Sequence, residues 1–108
     1  MKFYRYEDVR IANEIGVRVE LREFNLVKET PKGYWICPKW DRKQEYKQWV
    51  SANGKNRKAY PTKEEALLNY QRRKERQIKI LTSRLSDAQS GLHQIPRMEL
   101  ELRNERKM

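Results

Sequence analysis

Little in this chain resembles the equipment of an enzyme. Its 108 residues include one cysteine, one histidine and four glycines. A lone Cys37 excludes an internal disulfide and argues against a small secreted scaffold stapled by bridges. Four scattered glycines provide no P-loop and no Gly-rich phosphate cradle. His93 lies between Gly91 and Pro96, away from any Cys or carboxylate cluster. A metal site normally needs three or four ligands, so no metal is expected and His93 reads as a surface connection residue. Cys37 stands next to Pro38 and reads as a buried structural thiol. Glu64-Glu65 and Glu99/Glu101 are better explained by helix capping and a solvated tail than by acid–base work. The expectation is a non-enzymatic protein with no cofactor. Long apolar runs are missing too: none approaches the roughly 18 residues of a membrane span. The first residues, Met1-Lys2-Phe3-Tyr4-Arg5-Tyr6, lack the apolar stretch of a signal peptide. The expected setting is therefore cytoplasmic, with no membrane partner.

What the chain does have is positive charge. Lys and Arg number 25 against 15 Asp and Glu, a formal net charge of +10 on 13.2 kDa. Such an excess suits a polyanionic partner, nucleic acid first, an acidic protein surface or anionic lipid next. Plain solubility, with the charges spread over a solvated surface, is the alternative. Three Trp, six Tyr and two Phe supply large apolar units, enough for one modest core in a single domain.

The periodicity points to an α+β fold: an antiparallel meander of four to five strands followed by one long C-terminal helix. Residues 3 to 12 mix aromatics, β-branched residues and charges, and read as a strand or, over Asp8 to Ile15, as a short helix. Asn13-Glu14-Ile15-Gly16 suits a turn. Val17, Val19 and Leu21 alternate with Arg18, Glu20 and Arg22, the period of a half-buried strand. Phe24 and Leu26 continue out of phase, and a bulge near Arg22-Glu23 would return both sets to one face. Thr30-Pro31-Lys32-Gly33 is a tight turn, Tyr34 to Cys37 a strand, and Asp41 to Glu45 a charged loop. Tyr46 to Ala52 and Lys55 to Tyr60 would flank Asn53-Gly54, a strong two-residue hairpin signal.

Thr62 with Glu65 three residues on forms a capping box at a helix start. The helix can run to Ser90, with Gly91 as its stop. Residues 62–90 would extend roughly 43 Å, against a radius of gyration near 13 Å for a compact 100-residue chain. Ala66, Leu67 and Tyr70 form a first apolar cluster, expected to pack on the sheet. Residues 71–77 contain no apolar side chain. The stripe resumes at Ile78, Leu81, Leu85, Ala88 and Leu92, spaced 3, 4, 3 and 4, as in a heptad seam. That seam suits the C-terminal segment folded back or a second copy, giving a homodimer. Residues 1–92 form the expected domain, and residues 93–108 a charged tail, short helix or strand.

The densest chemistry is basic charge interleaved with aromatics. Residues 39–76 carry twelve basic and five acidic side chains, +7 of the total +10. A two-residue turn at Asn53-Gly54 would set Trp49 beside Lys58, an arrangement suited to cation–π contact or base stacking with phosphate neutralisation. Alternatively, Trp49 and Tyr60 pack under the helix while the lysines fringe the sheet. The candidate phosphate ligands are Lys55, Arg57, Lys58, Arg72, Arg73 and Arg76, with Trp49 and Trp35 as stacking surfaces. Ile78, Leu81, Leu85 and Leu92 are the candidate helix contact.

Two resemblances follow from these residues. Glu29-Thr30-Pro31-Lys32-Gly33-Tyr34-Trp35-Ile36, Ala59-Tyr60-Pro61-Thr62-Lys63-Glu64-Glu65-Ala66-Leu67 and Arg72-Arg73-Lys74 resemble a family of short bacteriophage-type proteins over about residues 1 to 92. This implies a phage or prophage origin but no particular activity. Residues 33–76 are also similar to the small three-stranded-sheet-plus-helix domain at the N-terminus of phage tyrosine integrases, whose sheet face binds DNA. The similarity stops there, since strands precede this segment and no recombinase catalytic domain follows. The expected function is nucleic-acid binding, or binding of a nucleic-acid-containing complex, through the basic hairpin and helix start. The alternative is a phage-encoded inhibitor of a host defence protein, acting in the host cytoplasm by protein contact.

Overall fold

Alternating side chains and the tight turn before Gly33 build an antiparallel sheet in simple sequence order. The computed structural model describes every residue except Asn13, Glu14, Lys55, Asn56 and Met108. Its elements are β1 (Lys2–Val9), β2 (Arg18–Thr30), β3 (Gly33–Pro38), β4 (Gln48–Ser51), α1 (Lys63–His93) and α2 (Ile95–Arg106). The sheet order is β1-β2-β3-β4, all antiparallel, so the chain is an α+β meander followed by helix. It divides into two compact units, Met1–Arg73 and Lys74–Met108.

The first segment is strand, not the helix considered over Asp8 to Ile15: β1 continues to Val9. Gly16 adopts φ +93°, a left-handed turn conformation that a side chain would oppose. The expected bulge at Arg22-Glu23 is not there, because the β1–β2 ladder is unbroken from Lys2↔Asn25 to Val9↔Arg18. The change of phase instead gives β2 two apolar faces, since directly opposed residues share a face. Phe24 lies opposite Phe3, whereas Leu21 and Val19 lie opposite Tyr6 and Asp8 on the reverse side. The register shift falls later, between Leu26 and Lys28, where Val27 is the extra residue and Lys28 comes opposite Trp35.

Phe3, Phe24, Ile36, Val50 and Ala59 form the core on the first face, with Leu26 and Tyr34 packed against them. Phe3 and Tyr34 meet at 5.1 Å between ring centroids. Ala59 reaches this core because the chain after β4 does not return beside β4. Residues 57–59 are not strand. Tyr60 instead pairs with Tyr4 at the outer edge of β1: Tyr4 N–H donates to the Tyr60 carbonyl at 2.7 Å and Tyr60 N–H to the Tyr4 carbonyl at 2.9 Å. Of the partner strand expected from Lys55 to Tyr60 after Asn53-Gly54, Lys55 and Asn56 lie outside the described residues, and Tyr60 pairs with β1 and not with β4. A type I′ turn needs φ > 0 at both central residues, and Gly54 does not have it. Pairing with the free edge of β1 also satisfies backbone groups there.

Thr62 caps α1, its Oγ accepting from the Glu65 N–H at 3.2 Å. Ala66 is the buried helical residue, Tyr70 donates its hydroxyl proton to Asp8, and Leu67 remains exposed. Gly91 does not stop the helix, which continues to His93 and resumes at Ile95. The single-residue interruption at Gln94 is due to Pro96, which opens α2 and lacks the N–H for an i→i−4 bond. The tail is therefore helical. In the second unit no described residue is buried, and Ile78, Leu81, Leu85 and Leu92 are all exposed.

Candidate functional site

The aromatic residues of the reverse sheet face are placed by short-range alternation. Trp35 on β3 lies directly opposite Trp49 on β4, so Trp49 pairs with Trp35 and not, as a hairpin would have it, with Lys58. The side chains are 39 % and 45 % exposed. Trp49 can lie over Gly33 because the glycine leaves room: a Cβ there would sit 2.8 Å from Trp49 Cζ2 and would clash with the Val50 carbonyl oxygen. The bulge at Val27 turns Lys28 onto the same face as Trp35. Val27, Lys28, Trp35 and Lys47 line a shallow cavity of about 220 Å³. Two accessible indoles and two lysines thus share one side of the sheet.

The loop from Lys39 to Lys47 is organised by Asp41. That carboxylate is buried and accepts the backbone N–H of Glu45 at 3.1 Å and of Tyr46 at 2.7 Å. The loop displays Trp40, 71 % exposed, against Tyr46 at 5.3 Å between centroids. Sequence reasoning missed this pair, since Asp41 to Glu45 reads as a plain charged loop. An Asp that folds the next turn back through its carboxylate is the signal that could have found it. Cys37 lies beneath, its thiol donating to the Asp41 carbonyl at 3.8 Å. Burial, and then the Asp41 charge, push that thiol above its ordinary value, which lowers its reactivity.

Of the basic residues singled out, Lys55 lies outside the described residues. Arg57 is turned inward: its side chain is 14 % exposed, hydrogen-bonds the Ala52 carbonyl at 3.2 Å, pairs with Glu65 at 3.4 Å and stacks over Tyr60 at 4.7 Å. Arg73 is also structural, donating to the Tyr6 carbonyl and to Asn69. Burial, with the charge of Arg5 beside it, pulls its guanidinium below the ordinary arginine range. Lys58 is exposed and 3.7 Å from Glu7. Arg72 is exposed on α1, and Arg76 belongs to the second unit. Tyr60 is buried, its hydroxyl accepting from Asn69 Nδ2 at 2.9 Å. The packing alternative therefore describes Tyr60, while the two tryptophans remain accessible.

A second cleft, about 480 Å³, lies near Glu7, Arg22, Phe24, Gln48 and Lys58. Its charges are largely internally matched: Glu7 pairs with Arg5, Arg22 and Lys58. Glu23, which also lines the cleft, pairs with Lys2 and Lys39. The hydrogen bond and charge of Lys39 hold the Glu23 carboxyl below its usual value. Among the described residues no group of three or more His, Cys, Asp or Glu could hold a metal ion, and no helix is long and apolar enough to cross a membrane. Comparison with protein-family profiles, characterised proteins and solved structures finds no match to this chain.

Proposed function

We propose that this is a basic binding protein whose reverse sheet face takes nucleic acid by stacking unpaired bases on Trp35 and Trp49. Lys28 and Lys47 would neutralise the adjoining phosphates. The observation that supports this reading most is the cross-strand Trp35–Trp49 pair, accessible on a face that also carries two lysines. An aromatic side chain that stacks a base is worth about 1–3 kcal/mol, and the contact tolerates any sequence. Arg72 remains exposed and suits a peripheral phosphate, whereas Arg57 and Arg73 already serve the fold and Lys58 pairs with Glu7 in the cleft on the opposite face. The test is a titration of single-stranded and duplex oligonucleotides followed by tryptophan fluorescence across a range of salt. Binding that prefers single strands, quenches tryptophan and weakens steeply with salt is expected. Absence of binding at low salt to DNA and RNA alike would falsify this proposal.

The exposed Trp40–Tyr46 pair favours a second reading, contact with a protein, since aromatics are enriched at interface hot spots. In that case the chain is a phage-encoded protein that blocks a host defence complex. A partner that survives nuclease treatment in a pull-down, and is lost with Trp40→Ala, would support it.

A further inference from the structure

We propose that the second unit self-associates: residues 78–95 of one copy dock antiparallel on the same segment of another. Three observations carry this. First, the helix does not end at Gly91, and the spacing of the seam runs on across the one-residue interruption at Gln94 to Ile95, the first residue of α2: Ile78, Leu81, Leu85, Ala88, Leu92 and Ile95 recur at 3 and 4. All but Ala88 are large apolar side chains between 44 % and 71 % exposed. Second, the segment is weak as an isolated helix. Thr82, Ser83, Ser86, Asp87, Ser90, Gly91 and His93 are poor helix formers. Helices in proteins owe most of their stability to packing of an apolar face, and no described residue in this unit is buried.

Third, the charges fit a second copy in one direction. In a chain that is 37 % charged, residues 77–96 contain only Lys79, Arg84 and Asp87. Two copies can therefore meet here without setting their excess positive charge face to face. An antiparallel alignment opposes Ile78 to Ile95, Leu81 to Leu92 and Leu85 to Ala88, a large residue against a small one at the centre. Four residues further out at each end it opposes Lys74 to Glu99. A parallel alignment would instead stack Ala88 on Ala88, Lys74 on Lys74 and Glu99 on Glu99. Facing opposite charges favour the antiparallel alignment over the parallel one, which sets like charges together, and Lys74, which donates to Gln77 Oε1 at 3.1 Å within the copy, would form an ion pair with Glu99 of the second copy.

The experiment is sedimentation equilibrium of the nuclease-treated full chain over a wide concentration range. A reversible monomer–dimer equilibrium is expected. Leu85→Asp should abolish it while leaving the tryptophan signal of the sheet unit unchanged. Lys74→Glu and Glu99→Lys should each weaken the dimer by about fivefold, as for a partly solvated ion pair, and the double exchange should restore it. In a parallel dimer the double exchange would have no such effect. A monomer at every concentration, a dimer that survives Leu85→Asp, or a double exchange that fails to restore association overturns the proposal. Because no sheet residue is involved, failure here leaves the nucleic-acid reading standing, and the reverse.

Discussion

The sheet unit and the helical unit are made from the same kind of sequence and solve different problems. Residues 1–73 bury Phe3, Phe24, Ile36, Val50 and Ala59 within their own chain. Among the described residues of 74–108 none is buried, although the segment contains comparable aliphatic side chains. The difference lies in spacing. In the sheet unit apolar residues far apart in sequence are brought together by strand pairing. In the helical unit most of them recur at helical spacing along α1 and α2, where strand pairing does not gather them. One unit is therefore stabilised from within, while the other leaves its apolar side chains exposed.

The largest test of that contrast is to remove one core ring. Phe3→Ala should cost the sheet unit about 3–5 kcal/mol, read as a shift in the tryptophan-detected denaturation midpoint. Leu85→Ala should leave that midpoint within about 0.5 kcal/mol, as an exposed substitution does. Equal effects would break the comparison. Next in size, Gly33→Ala should cost about 1–3 kcal/mol by overpacking, since the added methyl meets the Val50 carbonyl and the Trp49 ring. It should also shift the Trp49 emission.

The placement of these residues was only partly legible beforehand. The turn before Gly33, the strand from Tyr34, the Thr62 cap and the charge pattern are local, so the sequence displays them directly. The route after β4 is not local. Asn53-Gly54 signals a hairpin to anyone reading four residues, but Tyr60 finds a better edge on Tyr4, more than half the chain away. For the same reason Arg57 looks like a free cation in sequence, whereas Ala52, Tyr60 and Glu65 engage it in the fold. Among the residues proposed for binding, the two tryptophans could be read from alternation alone. Lys28 could not, because its face is set by a bulge.

Arg57 also sharpens the contrast between fold and binding. Arg57→Met should destabilise the sheet unit by about 1–2 kcal/mol through lost hydrogen bonds, whereas Lys58→Met should change stability by at most about 1 kcal/mol. Urea denaturation of the two variants side by side checks this. The smallest expected effect is electrostatic. Glu23 has its folded-state pKa depressed chiefly by Lys39. Its contribution is therefore present above the unfolded carboxylate value and is lost as pH falls through the lower folded one. Lys39→Met should raise the Glu23 midpoint in a carboxyl NMR titration, and an unmoved midpoint would remove Lys39 as the cause.

The bulge at Val27 makes β2 one residue longer than its ladder with β3 requires. Deleting Val27 would leave Leu26 opposite Ile36 and Lys28 opposite Trp35, so every pairing on either side would survive. A single deletion in the middle of the run paired with β1 would move part of the strand to the wrong face. β2 thus holds one spare position in an otherwise rigid count, and that position forms the wall of the cavity beside Trp35. Removal of that residue would alter the cavity wall while the sheet stays in register.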